Sequence, residues 1–192
     1  MARLSALPLS VPGESRSASL LLQASVVVAA SLFVAACAHV AVPLPFTPIP
    51  FTLQPFAVIL VGMLLGPTAG FAAMALYLVE GAAGLPVFTP AGLPGVARLL
   101  GPSGGYLFAY PLAAALAGGI PALLRSRRYV TYAAAGTAAM LLVYLCGAAW
   151  FSISLHVAFA DALGSTVVPF ALSDAVKIIA AAGIASAITR RA

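Results

Sequence analysis

Charge is what this sequence has least of. Nine Lys or Arg and four Asp or Glu make up 7% of its 192 residues, against about 25% in ordinary soluble domains. So few ionic groups exclude a water-facing globule. Cysteine is almost missing too: Cys37 and Cys146 both fall inside apolar runs, which excludes a disulfide framework and leaves two packing cysteines. No CxxC pair, HExxH segment or histidine cluster offers a metal site, and no cofactor is expected. There is no Walker motif, so ATP-driven work would fall to other chains. No serine, cysteine or histidine shows a nucleophile-and-base pattern, and His39 and His156, in apolar stretches without acidic neighbours, are expected to pack.

What fills the chain instead is apolar. Hydrophobic residues make up 63% and mean hydropathy is +1.13, with several runs near the ~20 residues needed to cross a bilayer. The chain therefore reads as an all-α integral membrane protein in contact with lipid. Its formal charge of +5 sits mostly at the ends of apolar runs, where it sets orientation rather than attracting nucleic acid.

Residues 1–19, with Pro8, Pro12, Gly13 and several serines and arginines, suggest a disordered cytoplasmic tail, and 20–192 a single transmembrane domain. A first helix is expected over 20–41. Within it, Val34-Ala35-Ala36-Cys37 looks like a lipoprotein cleavage site, but the run is too long for a signal core and stays apolar beyond the cysteine. The prolines from Pro43 to Pro55 then demand extended geometry and suggest a stiff apolar loop. Residues 56–65 and 68–83 form two short arms of a helical hairpin turning at Gly66-Pro67, 84–103 form a Gly/Pro-rich loop, and helices follow at 104–124, 130–159 and 169–189, with a turn at 161–168. That gives six transmembrane helices. A cytoplasmic start would put Arg3, Arg16, Arg125, Arg127, Arg128, Arg190 and Arg191 inside, with both termini cytoplasmic. The segments Leu64–Phe71 and Leu99–Tyr106 echo each other around Gly-Pro-Thr and Gly-Pro-Ser, each marking a helix start.

The remaining charge collects in the opposite, outer half. Asp174 and Lys177 are three apart on one helix face and can neutralise each other, where each lone charge costs about 2.5–3.5 kcal/mol at the bilayer centre. Arg98 in the Gly/Pro loop can grip an anionic group with two prongs or contact a lipid phosphate. Glu80 is a further candidate binding residue that can accept hydrogen bonds or pair with Arg98, or else simply ends a helix in solvent; Asp161 reads as a turn residue. Small residues at Ser25 and Ala29, and at Ser31 and Ala35, permit close helix contact, although such spacing arises by chance in an Ala-rich chain. Three classes remain: a solute-binding transporter subunit, a membrane enzyme using Glu80, Asp174 and Arg98, and an assembly subunit in which the charged pair only pins a neighbour.

Four stretches together resemble the BioY family, the biotin-binding S components of energy-coupling factor (ECF) transporters. They are Val42 to Gln54 (VPLPFTPIPFTLQ), Gly84 to Phe88 (GLPVF), Gly101 to Tyr106 (GPSGGY), and Pro169-Phe170 with Asp174 and Lys177. The resemblance spans about residues 20–189 and implies the ECF S-component fold. It further implies biotin binding from outside under a lid formed by the loop after helix 1, and partnership with a transmembrane T component and two ATP-binding subunits. It also admits a solitary or oligomeric biotin transporter without dedicated ATPases. Carried over, Asp174 accepts from the ureido N–H groups, and Lys177 and Arg98 share the ligand carboxylate and ureido oxygen in an order the sequence leaves open. Phe46, Phe51, Phe88 and Tyr106 are candidate walls or lid, or else lipid-facing aromatics. The family's Ala-x3-Ala contact with the T component is matched here only by the Ser25/Ala29 and Ser31/Ala35 pairs.

Overall fold

The first apolar run forms α1 (Arg16–His39) in a computed structural model describing residues 16–45 and 47–191. Residues 1–15 of the expected tail lie outside the described residues, and 16–19 already belong to the helix. His39 does not pack: it is exposed, and its Nδ1 bonds back to the Ala35 carbonyl at 2.8 Å, holding the helix end.

The proline-rich stretch is not the unpaired loop its composition suggests. It folds into an antiparallel hairpin of β1 (Ala41–Leu44) and β2 (Thr47–Thr52), with Ala41 opposite Thr52 and Val42 opposite Phe51. Proline's extended φ suits a strand, and its missing donor is tolerated in a two-stranded ribbon whose edges need no partner. Pro43 falls at the irregularity in register between Val42 and Leu44.

The next helical segment, α2 (Gln54–Ala82), is two antiparallel arms. Gly66 breaks it with φ 81° and ψ 178°, a conformation that favours glycine, and Pro67 opens the second arm, where its missing N–H costs nothing. A Cβ on Gly70 would lie 3.0 Å from the Gly62 Cα, whereas a continuous helix separates residues eight apart by about 12 Å. At the far end Gln54 Nε2 donates to the Tyr77 hydroxyl at 3.0 Å, which fixes the same reversal. The expected hairpin is therefore present.

Beyond it come α3 (Val96–Leu100), α4 (Gly104–Leu123), α5 (Tyr129–Leu155), α6 (Phe159–Thr166) and α7 (Ala171–Arg191). Two expectations need correction here. The fifth long helix stops at Leu155, not 159, because His156 adopts a left-handed conformation (φ 55°) as its exposed C-cap instead of packing. The 161–168 turn is the body of α6, with Asp161 exposed in its first turn. The Gly/Pro loop also holds the single turn of α3.

Among the described residues five helices are long and apolar enough to span a bilayer; with the arms of α2 taken separately, the described residues hold six such helical segments. The α2 arms pack most extensively on α4, because Gly62 and Gly118 let the backbones touch: a Cβ on Gly62 would strike the Ala114 carbonyl, and one on Gly118 would strike the Gly62 carbonyl and Gly66. The molecule thus has two ends. Gly66, Gly118 and the 124–128 loop share one, where Arg127 Nη1 donates to the Thr189 carbonyl at 2.9 Å. The β-hairpin, the 83–103 loop, α6 and the start of α7 share the other. Cys37 is buried, Cys146 half-buried, and both are free thiols.

Candidate binding site

At the second end lies a cavity of about 650 Å³, counted with its open mouth, lined from β2, the start of α2, the 83–103 loop and α4 to α7. β2 contributes Ile49, Pro50 and Thr52, and the start of α2 contributes Gln54. The 83–103 loop supplies Phe88, Thr89 and Arg98, and the first turns of α4 supply Tyr106, Leu107 and Tyr110. Met140, Val143 and Tyr144 come from α5, Thr166 from α6, and Phe170, Asp174 and Lys177 from the approach to and start of α7.

Helical spacing delivers the charged pair as the sequence suggests. Lys177 Nζ lies 2.7 Å from Asp174 Oδ1, and both residues are buried. The second carboxylate oxygen accepts from the Tyr144 hydroxyl at 2.6 Å, a partner 30 positions away in sequence with no local signal beyond a polar tip in an apolar helix. A carboxylate has about four acceptor positions, so Asp174 keeps capacity for two more donors. The Lys177 ammonium also lies 4.4 Å from the centre of the Phe51 ring, and Phe51 in turn stacks with Phe170 at 6.4 Å.

Arg98 is buried and lines the same cavity. Its Nη1 donates to the Ala91 carbonyl, but no carboxylate lies within ion-pair reach among the described residues, where Lys177 and Asp174 form the sole salt bridge. Burial pulls its pKa down, while the Tyr77 and Tyr110 hydroxyls act in the opposite sense; a guanidinium stays charged under such shifts. Lining charges therefore sum to one carboxylate against two cations, with the unpaired cation on the loop.

Aromatic and hydroxyl groups shape the rest. Tyr106 donates to Thr166 Oγ1 at 2.5 Å, and Thr166 to the Ala162 carbonyl at 2.7 Å. The Tyr77 hydroxyl accepts from Gln54 and donates to the Val87 carbonyl at 3.0 Å, and the Tyr77 ring meets the Phe88 ring edge-on at 5.3 Å.

The structure thus brings Asp174, Lys177, Arg98, Phe88 and Tyr106 to one cavity, with Phe51 over Lys177. Phe46 lies outside the described residues. Glu80 does not join them: half-buried, it accepts from the Ser31 hydroxyl and ties α2 to α1, because its helix face turns away from the cavity. Ser31 and Ala35 are accordingly buried within the molecule, while Ser25 and Ala29 are exposed. Gln54, Tyr144, Thr89, Thr166 and Phe170 were not singled out as site residues from sequence, since their meeting depends on the α2 reversal and the packing of α5, α6 and α7. Among the described residues no cluster of three or more His, Cys, Asp or Glu side chains stands where a metal would bind.

A family model described as the BioY family matches residues 14–192. The chain belongs to the BioY family. It is 40% identical over 145 residues to the probable biotin transporter BioY of Pyrococcus horikoshii, covering 74% of this chain and 79% of the relative. To the biotin transporter BioY of Thermotoga maritima it is 37% identical over 146 residues, with the same coverage. Its fold matches the crystal structure of the S-component for biotin from an ECF-type ABC transporter, with a TM-score of 0.83 and 25% identity over 93% of this chain and 95% of that one. BioY membership makes this chain a multi-pass transporter component and not an enzyme.

Proposed function

We propose that this BioY chain captures biotin in the cavity and delivers it inward as the S component of an ECF transporter, with a T component and two ATP-binding subunits as partners. The observation that carries the ligand is Arg98: a buried cation with no carboxylate of the described residues within ion-pair reach lines a cavity that already holds a neutralised Lys–Asp pair. An uncompensated buried charge is costly, and a ligand carboxylate offsets that cost through a two-pronged contact. At the α7 side, Asp174 retains acceptor positions for the two ureido N–H groups and Lys177 retains donors for the ureido oxygen. Phe88, Phe170, Leu107 and Met140 supply apolar walls for the sulfur ring and alkyl tail.

Binding of labelled biotin and of biotin methyl ester to the purified chain in detergent tests this assignment. Arg98→Ala should weaken biotin at least tenfold more than the ester. Equal loss of both would move the carboxylate to Lys177, and no binding by a folded wild type would remove biotin altogether.

Orientation and coupling belong to the same proposal. The 124–128 loop carries Arg125, Arg127 and Arg128, and Arg190 closes α7 at the same end; this excess of positive charge supports a cytoplasmic position for that end and for both termini. In a chain with Cys37 and Cys146 replaced, Leu124→Cys should react with impermeant thiol reagents only from inside and Leu93→Cys only from outside. The exposed face of α1, with Ser25 and Ala29 between exposed Leu21, Leu22 and Leu32, is where we place the T component. Ala29→Phe should abolish biotin uptake in cells supplied with the partners while leaving biotin binding unchanged.

A further inference from the structure

The loop from α2 to α4 is pinned on both sides of Thr89. Before it, the Val87 carbonyl is held by Tyr77, and the Phe88 ring fills the space over Gly81, where even a methyl group would strike it. After it, the Ala91 carbonyl is held by the Arg98 guanidinium. Thr89 between them is 7% exposed and lines the cavity. Among the described residues its Oγ1 is the one buried side-chain polar atom without a hydrogen-bond partner. Buried hydroxyls are nearly always paired, and Thr166 in the same wall follows the rule by donating to its own helix. Thr89, in an irregular segment, has no carbonyl one helical turn back to use.

We infer that Thr89 Oγ1 donates a hydrogen bond to the ligand carboxylate beside Arg98, a step that rests on the biotin reading above. Ala91 lies two positions beyond Thr89, at most about 7 Å of chain, and Ala91 is where the guanidinium is anchored. The hydroxyl and the unpaired cation therefore line the cavity from neighbouring points of the same loop. A carboxylate has more acceptor positions than one guanidinium fork fills, so a hydroxyl donor adds to Arg98 without competing with it.

The test compares wild type, Thr89→Val, which keeps the shape and deletes the hydroxyl, and Thr89→Ser, which keeps the hydroxyl. Affinities for biotin and for biotinol, whose tail ends in an alcohol, are measured with the thermal midpoint of the ligand-free protein. Loss of a hydrogen bond to a charged acceptor should weaken biotin about tenfold or more in Thr89→Val. Thr89→Ser should stay within about threefold, biotinol should suffer much less than biotin, and the ligand-free midpoint of Thr89→Val should not fall, because the hydroxyl has no protein partner to lose. Wild-type affinity in Thr89→Val, equal loss for both ligands, or a lower ligand-free midpoint would each overturn the inference by making the residue idle or structural. A wild type that binds no biotin would instead fail the reading beneath it.

Discussion

The Lys177 ammonium lies 4.4 Å from the centre of the Phe51 ring, so a buried cation on α7 and an aromatic on β2 hold each other in direct contact. With the stack of Phe51 on Phe170 at 6.4 Å, this contact fastens the hairpin over the charged pair. The hairpin itself is two short strands with an irregular register, and such a ribbon has little stability of its own. Side-chain contact with the site adds to the packing of Ile49 on the core in holding it there.

Phe51→Ala should therefore act on ligand retention more than on the fold. A desolvated cation–π contact is worth about 0.5–2 kcal/mol, so biotin should dissociate roughly 3–30 times faster with a smaller change in association rate. Stopped-flow chase of labelled biotin measures both, and an unchanged dissociation rate would mean that the hairpin does not gate the cavity.

Tyr144→Phe removes one donor from Asp174 and nothing else. The 2.6 Å bond goes to a carboxylate, for which loss costs about 1.5–3 kcal/mol. Biotin affinity should fall by about tenfold, and the loss should extend to biotin methyl ester, since the defect lies at the ureido pole. Titration of both ligands checks it; a loss confined to biotin would place Tyr144 at the carboxylate instead.

Gly62→Ala probes the fold apart from the site. Its methyl group would meet the Ala114 carbonyl and, at 2.8 Å, the Ala114 Cα; backbone cannot swing aside as a side chain can, so α2 and α4 must separate. Overpacking of this kind costs about 1–3 kcal/mol. Thermal unfolding in detergent should shift down by several degrees, while the folded fraction binds biotin as wild type does.

What could be read from sequence was what repeats or sits close along the chain. Asp174 and Lys177 share a face by helical spacing alone, and Gly66-Pro67 announces a reversal through backbone chemistry that needs no neighbour. The strands were missed because the prolines fix φ but say nothing of pairing: Val42 meets Phe51 only once the chain has folded back beyond Leu44. Glu80 was grouped with the site because sequence places a charge at one end of a helix without telling which face it takes, and that face carries it to Ser31. Tyr144 and Gln54 lie 30 and 23 residues from their partners, a separation that only the packed bundle closes.

The sharpest separation of site from scaffold lies in the Asp174–Lys177 pair. Both are buried, 2.7 Å apart, so removing one leaves the other uncompensated and should cost about 3–5 kcal/mol. Asp174→Leu and Lys177→Met singly should therefore lower the thermal midpoint, whereas the double variant, which buries two apolar side chains of similar size, should return close to wild-type stability. Binding should not return with it. If Asp174 receives the ureido N–H groups, the two variants that carry Asp174→Leu should lose biotin by at least a hundredfold, because a leucine in its place has no acceptor to offer, whereas Lys177→Met keeps the acceptor and should lose less. A double variant that is stable and still binds biotin tightly would reduce the pair to a pin between α7 and its neighbours, and the ureido contacts would have to come from the remaining polar groups of the wall.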